Sequence, residues 1–220
     1  FAKGEWITII GDDDAILPNF FEILNETIKN LSNEIEVISS KPANYYWDNV
    51  ENLYGDRVVN YQNFFSKDKT KNSKINLFLT LIGLKNRNDL PMLYTSGVIK
   101  KTLIDRIKLK SNNFFFHSII PDYYSSISIL YEAKKFLRIN QPIFWVGVSS
   151  KSTGIGNRIY EDSVRPSDQN YPNINQNLKI NEKISLTLHQ TGTPTIYYYE
   201  CLHNHPYING FWRSKLVKLL

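Results

Sequence analysis

Three consecutive carboxylates, Asp12, Asp13 and Asp14, follow the apolar run WITII. Like charges this close repel, so such a cluster at a strand end calls for a physical reason. Two readings stand: a solvated turn that also caps the helix beginning at Pro18, or a site for a divalent cation. Carboxylate oxygens are the hard ligands that Mg²⁺ and Mn²⁺ prefer, and Mg²⁺ takes one or two of them together with phosphate oxygens and water. Alternate residues of an extended segment face the same way, so Asp12 and Asp14 can converge while Asp13 points elsewhere. A cation there would neutralise a diphosphate and stabilise the charge that develops on it as it leaves. A further acid, Asp122, follows Pro121 where a helical pattern opens. Proline at the first helical position sets Asp122 beside unpaired backbone N–H groups, which suits a negative charge. An ionised carboxylate placed there can accept a proton from a hydroxyl. It can equally be an ordinary first-turn aspartate that stabilises its helix.

Other reactive residue types point less far. His203-Asn204-His205 has the His-X-His form of a metal ligand pair and of a nuclease motif, but Pro206 follows at once and no acidic partner is near. His117 sits among aromatics and reads as packed or hydrogen-bonded, and His189 as a surface residue. Cys201 is the single cysteine, which excludes an internal disulfide and a multi-cysteine zinc site. The aromatic content invites sugar stacking, since rings pack on apolar sugar faces. Most rings read as core, and Tyr45, Tyr46 and Trp47 near a predicted loop are the ones of interest. Tyr197, Tyr198 and Tyr199 line a surface or pack a helix. A Gly-X-Gly-Asn element at residues 154–157 lacks the preceding strand that a dinucleotide or phosphate-binding loop requires.

The elements that must carry these residues follow from periodicity. Glu5 to Ile10 is β-branched and aromatic, is closed by Gly11, and predicts a strand. Asp12 to Leu17 reads as a loop and Pro18 to Leu31 as a helix, with Phe20, Leu24, Ile28 and Leu31 on one face. Strands are predicted at Glu34–Ser40, Phe136–Asn140 and Ile143–Val146. Helices are predicted at Asn72–Leu84, Lys100–Ile107 and Pro121–Ala133. Leu93–Val98 reads as a short strand or loop, and Lys41–Asn60 as short strands with loops. Strands alternating with helices predict an α/β layered fold, in which ligands sit at strand carboxyl ends. Beyond Gly147 the texture turns to Ser, Gly, Asn and Pro, so the expected division is residues 1–148 as the core and 149–220 as a loop-rich, then helical, extension.

The chain has 220 residues, of which 42% are hydrophobic and 21% charged, ordinary values that exclude disorder, collagen and coiled coil. Its longest largely apolar run, Ile75 to Leu84, is ten residues, and a spanning helix needs about 20. The net charge is +5, with the lysines dispersed, which reads as a solvated surface rather than a nucleic-acid footprint. It also suits an anionic substrate or an anionic membrane face.

The segment GEWITIIGDDDAILPNFFEIL resembles the central motif of family 2 glycosyltransferases of the GT-A fold. In that family a strand ends in Asp-X-Asp and is followed by a Leu-Pro-Asn turn and a helix; here the turn is Leu17-Pro18-Asn19. HSIIPDYYSSISIL resembles the segment that carries the acceptor-side acid, although the usual acidic pair is Pro121-Asp122 here. LYTSGVIKKTLID is similar to the family's acceptor-side turn and helix. Its Ser96 and Gly97 read first as a turn and second as a close approach to the donor sugar.

The resemblance implies a mixed sheet flanked by helices, whose nucleotide-binding strands would precede Phe1, so the chain is expected to be an N-terminally truncated core. It implies Asp14 as a metal ligand for Mn²⁺ or Mg²⁺, with Asp12 as its partner, and Asp12 or Asp13 approaching the nucleotide ribose or phosphates. Asp122 is implied as the catalytic base. The implied partners are a nucleotide-diphosphate sugar donor and a glycan or lipid-linked acceptor, with no nucleic acid. The abundance of Asn, Ile, Lys and Tyr suggests a low-GC bacterium and surface-polysaccharide assembly in the cytoplasm, at the inner membrane face. Two other classes fit the same residues: a metal-dependent nucleotidyl or phosphoryl transferase, and a non-catalytic carbohydrate-binding or remnant module.

Overall fold

A computed structural model describes residues 2–47, 67–85, 89–94, 96–118, 120–149, 198 and 201–208. Within them the chain is a mixed α/β structure with two mixed sheets. The larger sheet joins β1 (Trp6–Ile7), β3 (Val37–Ser40), β5 (Lys69–Asn72), β6 (Gly97–Lys100) and β7 (Lys135–Ile139) in the order β1-β6-β3-β7-β5. Its β3–β7 pair is parallel and the others are antiparallel. The smaller sheet joins β2 (Ala15–Ile16), β4 (Ala43–Tyr46) and β8 (Phe144–Val148) in the order β2-β8-β4.

Strand alternation sends neighbouring side chains to opposite faces of the larger sheet. Ile38 and Val98 face α1 (Phe20–Lys29) and pack with Phe20, Leu24, Ile139 and Phe144. Val37 and Ile99 face the other way, onto α2 (Ser73–Leu81), α3 (Lys101–Lys110) and α4 (Pro121–Glu132), where Leu77, Leu103, Ile107, Tyr124 and Ile127 complete the main core. Helices thus flank the sheet on both sides, as the alternation of elements predicts.

Local chemistry sets the helix ends. Asn72 caps α2 by accepting the Ile75 N–H at 3.0 Å. Pro121 opens α4 at its first turn with Asp122 beside it. The four predicted helices all form, with ends moved by up to three residues. The strand predictions need more correction. The first strand is cut to Trp6–Ile7, although Ile9 still forms a parallel bridge to Tyr94. Ala15–Ile16, expected in a loop, is a strand because β8 pairs with it. Lys69–Asn72 is a strand that its polar sequence KTKN does not announce; it lies at the sheet edge, where lysines discourage pairing with other chains.

The late residues that are described join the main core. Tyr198, Cys201, Leu202 and Ile208 are buried in it, and residues 201–204 are helical. His205 is buried, contacts Ser128 Oγ at 2.9 Å and stacks on Tyr124 with ring centroids 4.9 Å apart. The Gly-X-Gly-Asn element, His189 and the apolar end of the chain lie outside the described residues. No helix among the described residues is long and apolar enough to cross a membrane.

Candidate active site

The acidic triplet is held between the two sheets' strands. β1 leads into it, and β2 leaves it to pair antiparallel with β8, with Ala15 opposite Trp145 and Ile16 opposite Phe144. Asp14 is the pin of this loop. Its Oδ2 accepts the Gly11 N–H at 2.9 Å, and its Oδ1 accepts the Gly147 N–H at 3.0 Å. Burial raises the Asp14 pKa above the ordinary value; the two amide bonds work against that rise, and the charges of Asp13 and Asp12 add to it. Asp13 is half-buried and Asp12 exposed.

Gly147 is required here for space. A Cβ at that position would lie 1.8 Å from the Asp13 carbonyl oxygen, a backbone atom that cannot step aside. Gly147→Ala is therefore expected to push β8 off the acidic loop, lose the bond to Asp14 and cost about 1–3 kcal/mol, as overpacked sites do. A urea melt checks this, and a midpoint equal to that of the unaltered protein would show that the loop and β8 are not in such contact.

Tyr94 connects the triplet to Asp122. Its segment is tied to the first strand by the bridge to Ile9 and by the Ile9 N–H bond to the Leu93 carbonyl at 3.0 Å. The Tyr94 hydroxyl packs over Gly11, 2.2 Å from where a Cβ would be, with Asp14 Oδ2 at 2.7 Å from the same point. On the other side Ser125 Oγ accepts the Leu93 N–H at 3.2 Å and donates to the Asp122 carbonyl at 2.9 Å. One serine of α4 thus fixes the first turn of that helix to the segment carrying Tyr94. The phenol's pKa is pushed up to about 12, first by burial and then by the charges of Asp14, Asp13, Asp12 and Asp122. All four predicted acids therefore act on a single hydroxyl, which stays protonated and able to donate.

An exposed ring borders the same loop. Trp47 is 44% exposed, and its Nε1 lies 3.0 Å from the Cβ position of Gly147. Tyr45 packs edge-on against both Trp47 and Trp145, at 5.3 and 6.3 Å between centroids. Of the aromatics singled out in the sequence, Trp47 is thus the one beside the acids.

The other candidates fall elsewhere. His117 Nε2 meets the Ser111 carbonyl at 3.0 Å, the hydrogen-bonded role expected of it. His205 is occupied in the core against Ser128 and Tyr124. Ser96 is a buried turn residue whose Oγ accepts the Met92 N–H at 3.2 Å, and Gly97 has room only for hydrogen, with the Met92 carbonyl oxygen 2.4 Å from its Cβ position. The turn reading therefore holds for Ser96, while Gly97 opens β6 and pairs with Ser39.

Among the described residues, no three His, Cys, Asp or Glu side chains are grouped so as to hold a metal ion together. The donor set nevertheless suits a hard cation that takes one or two carboxylates and completes its shell with phosphate and water. Each Asp14 oxygen accepts one amide and retains a second lone pair, and Asp12 is open to solvent. No known family model and no curated protein matches this chain. Its function is read from the site.

Proposed function

We propose that the protein is a glycosyltransferase of the family 2 kind on a GT-A fold, moving a sugar from a nucleotide-diphosphate donor to a hydroxyl of a glycan or lipid-linked acceptor. The observation that carries this reading is the Tyr94 segment, which a bridge to Ile9 ties to the chain leading into the triplet and Ser125 ties to the first turn of α4, where Asp122 lies, although about 110 residues separate the two in sequence. A general base for one substrate and a carboxylate cluster suited to a diphosphate on the other form the pair of groups that an inverting sugar transfer needs.

In this mechanism Asp122 accepts the proton of the acceptor hydroxyl. The freed oxygen attacks the anomeric carbon, the bond from that carbon to the diphosphate oxygen breaks, and the configuration inverts in a single displacement. Asp14 and Asp12 would hold the Mn²⁺ or Mg²⁺, which when bound supplies positive charge for the departing diphosphate. Asp13 or Asp12 approaches the ribose or phosphates. Tyr94, kept neutral by burial and by its acidic neighbours, offers a donor to an anionic or sugar oxygen. Trp47 presents an apolar face on which a sugar ring can pack.

One observation favours a second reading. Both Asp14 oxygens are already bonded to backbone amides, as they would be in a metal-free carbohydrate-binding module that uses Trp47 and has no turnover. An assay of the full-length protein separates the two. Incubated with a panel of nucleotide-diphosphate sugars and a polyprenyl-phosphate or glycan acceptor, it should release nucleoside diphosphate with Mn²⁺ or Mg²⁺ present, and release should stop on chelation. Unchanged release in chelator would remove the metal from the mechanism. Glycan binding with no donor cleaved in any condition would establish the binding module instead.

A further inference from the structure

The smaller sheet has two unlike faces. Ile16 pairs with Phe144, and both pack on the core beside α1. Alternation turns their neighbours the other way. On that second face Ala15 stands beside Trp145, Trp145 pairs with Ala43, and Tyr45 pairs with Gly147. The Trp47 N–H bonds to the Val148 carbonyl at 3.0 Å, so β4 stays in register and Trp47 follows Tyr45 on the same side. Tyr46, singled out with them in the sequence, pairs with Val148 and alternates to the first face. Ala15 and Trp47 are exposed, with Tyr45 and Trp145 half-buried, so the second face meets solvent. Three rings thus follow one another along it, Trp145, Tyr45 and Trp47, at steps of two residues or about 6.6 Å. Tyr45 stands edge-on to both indoles and props each of them.

The acidic loop lies on the same face. The Asp13 carbonyl oxygen and Trp47 Nε1 both approach the point that a Gly147 Cβ would occupy, at 1.8 and 3.0 Å. Asp14 fixes the loop there through the Gly147 N–H, and Asp12 is open to solvent. The segments that build this face, residues 11–17, 42–47 and 140–148, hold three acids and no lysine or arginine. Ring faces and oxygen acceptors therefore stand side by side on one surface.

From this juxtaposition we infer that the outer face of the smaller sheet is a subsite for a neutral oligosaccharide, with successive sugar rings on Trp145 and Trp47 and their hydroxyls on the acidic loop. Indoles take the apolar faces of sugar rings, and carboxylate and carbonyl oxygens accept from sugar hydroxyls. An anionic headgroup would meet three carboxylates here and be repelled. Of the two acceptor classes in the proposed reaction, this face selects the glycan, and one of two or more sugars. The inference rests on the sugar-handling reading of the site but not on turnover, since a binding module would use the same rings.

The test is calorimetric titration of the full-length protein, in chelator, with cello-, malto-, xylo- and N-acetylchito-oligosaccharides, each as the monosaccharide, disaccharide and tetrasaccharide. The tetrasaccharide of at least one series should bind about tenfold more tightly than its monosaccharide, because a second sugar ring gains a second indole. Trp47→Ala and Trp145→Leu should each weaken that binding about tenfold, whereas Trp145→Phe, which keeps a ring, should restore most of it. Trp47 is exposed, so its variant keeps the test open should Trp145→Leu fail to fold. Binding that does not grow with chain length, binding untouched by Trp47→Ala, or no binding in any series would each overturn the proposal. So would self-association that Trp47→Ala abolishes while oligosaccharides stay unbound, which would make the face a contact between copies. Nucleoside diphosphate released with a polyprenyl-phosphate acceptor and no oligosaccharide bound would remove this subsite and leave the transferase. Oligosaccharide held by the two indoles with no donor cleaved would keep the subsite and remove the transferase.

Discussion

Asp122→Asn should lower the rate of sugar transfer by about 10²–10⁴-fold, the usual weight of a positioned general base, while leaving donor binding unchanged. The amide is the same size as the carboxylate but cannot take a proton. The link from this turn to the Tyr94 segment runs through the Asp122 backbone carbonyl and Ser125, and the substitution leaves it in place. Losing the charge at a helix N-terminus costs about 0.3–1 kcal/mol. Turnover of the variant at saturating donor, set beside calorimetric binding of the nucleoside diphosphate, reads the two effects separately. Survival of turnover would place the base elsewhere. A stability loss well beyond that range would make Asp122 a structural residue.

Asp14→Ala should do damage of two kinds. Transfer that depends on Mn²⁺ or Mg²⁺ should fall about 10³-fold, since charge stabilisation at a departing diphosphate is worth several kcal/mol. The protein should also lose about 1–2 kcal/mol, because the Gly11 and Gly147 N–H groups lose their acceptor in a half-buried site. The pH dependence has a definite sign. The folded-state pKa of Asp14 is raised, so the ionised group costs stability above that pKa, and the cost is relieved as pH falls through it toward the unfolded value. In metal-free buffer the unaltered protein should therefore gain on Asp14→Ala as the pH drops into the carboxylate range. Denaturant melts at neutral and acid pH measure this directly. Full metal-dependent transfer by the variant would reduce Asp14 to a loop pin.

The helices were legible in the sequence because their signals are local. Asn72 and Pro121 mark helix starts by their own chemistry, and Phe20 and Leu24 show a buried face by spacing alone. β2 and β5 were not, for opposite reasons. Two residues, Ala15 and Ile16, are too few to show alternation, and only β8 makes them a strand. Lys69 to Asn72 are polar because they form an exposed edge, so the residues that suit the edge hide the strand. The site divides the same way. Four acids stood out by type and position, whereas nothing in LYTSG distinguishes Tyr94, whose place comes from a bridge to Ile9 and the bond that its neighbour Leu93 donates to Ser125. The turn role of Ser96 was legible, whereas the place of Gly97 at the start of β6 and the double role of Asp14 were not.

The bond from Gly147 to Asp14 spans 133 residues, and the contact of His205 with Ser128 spans 77. Contacts of such long range form late, because the loop they close must first give up its conformational freedom. The acidic loop is made before β8, so it has no clamp until β8 has followed it. A nascent chain halted anywhere before Gly147 therefore carries three repelling carboxylates without the amide that holds Asp14 Oδ1. Organisation of the acidic loop thus waits on β8, and the loop's own charges oppose its closing before that strand arrives.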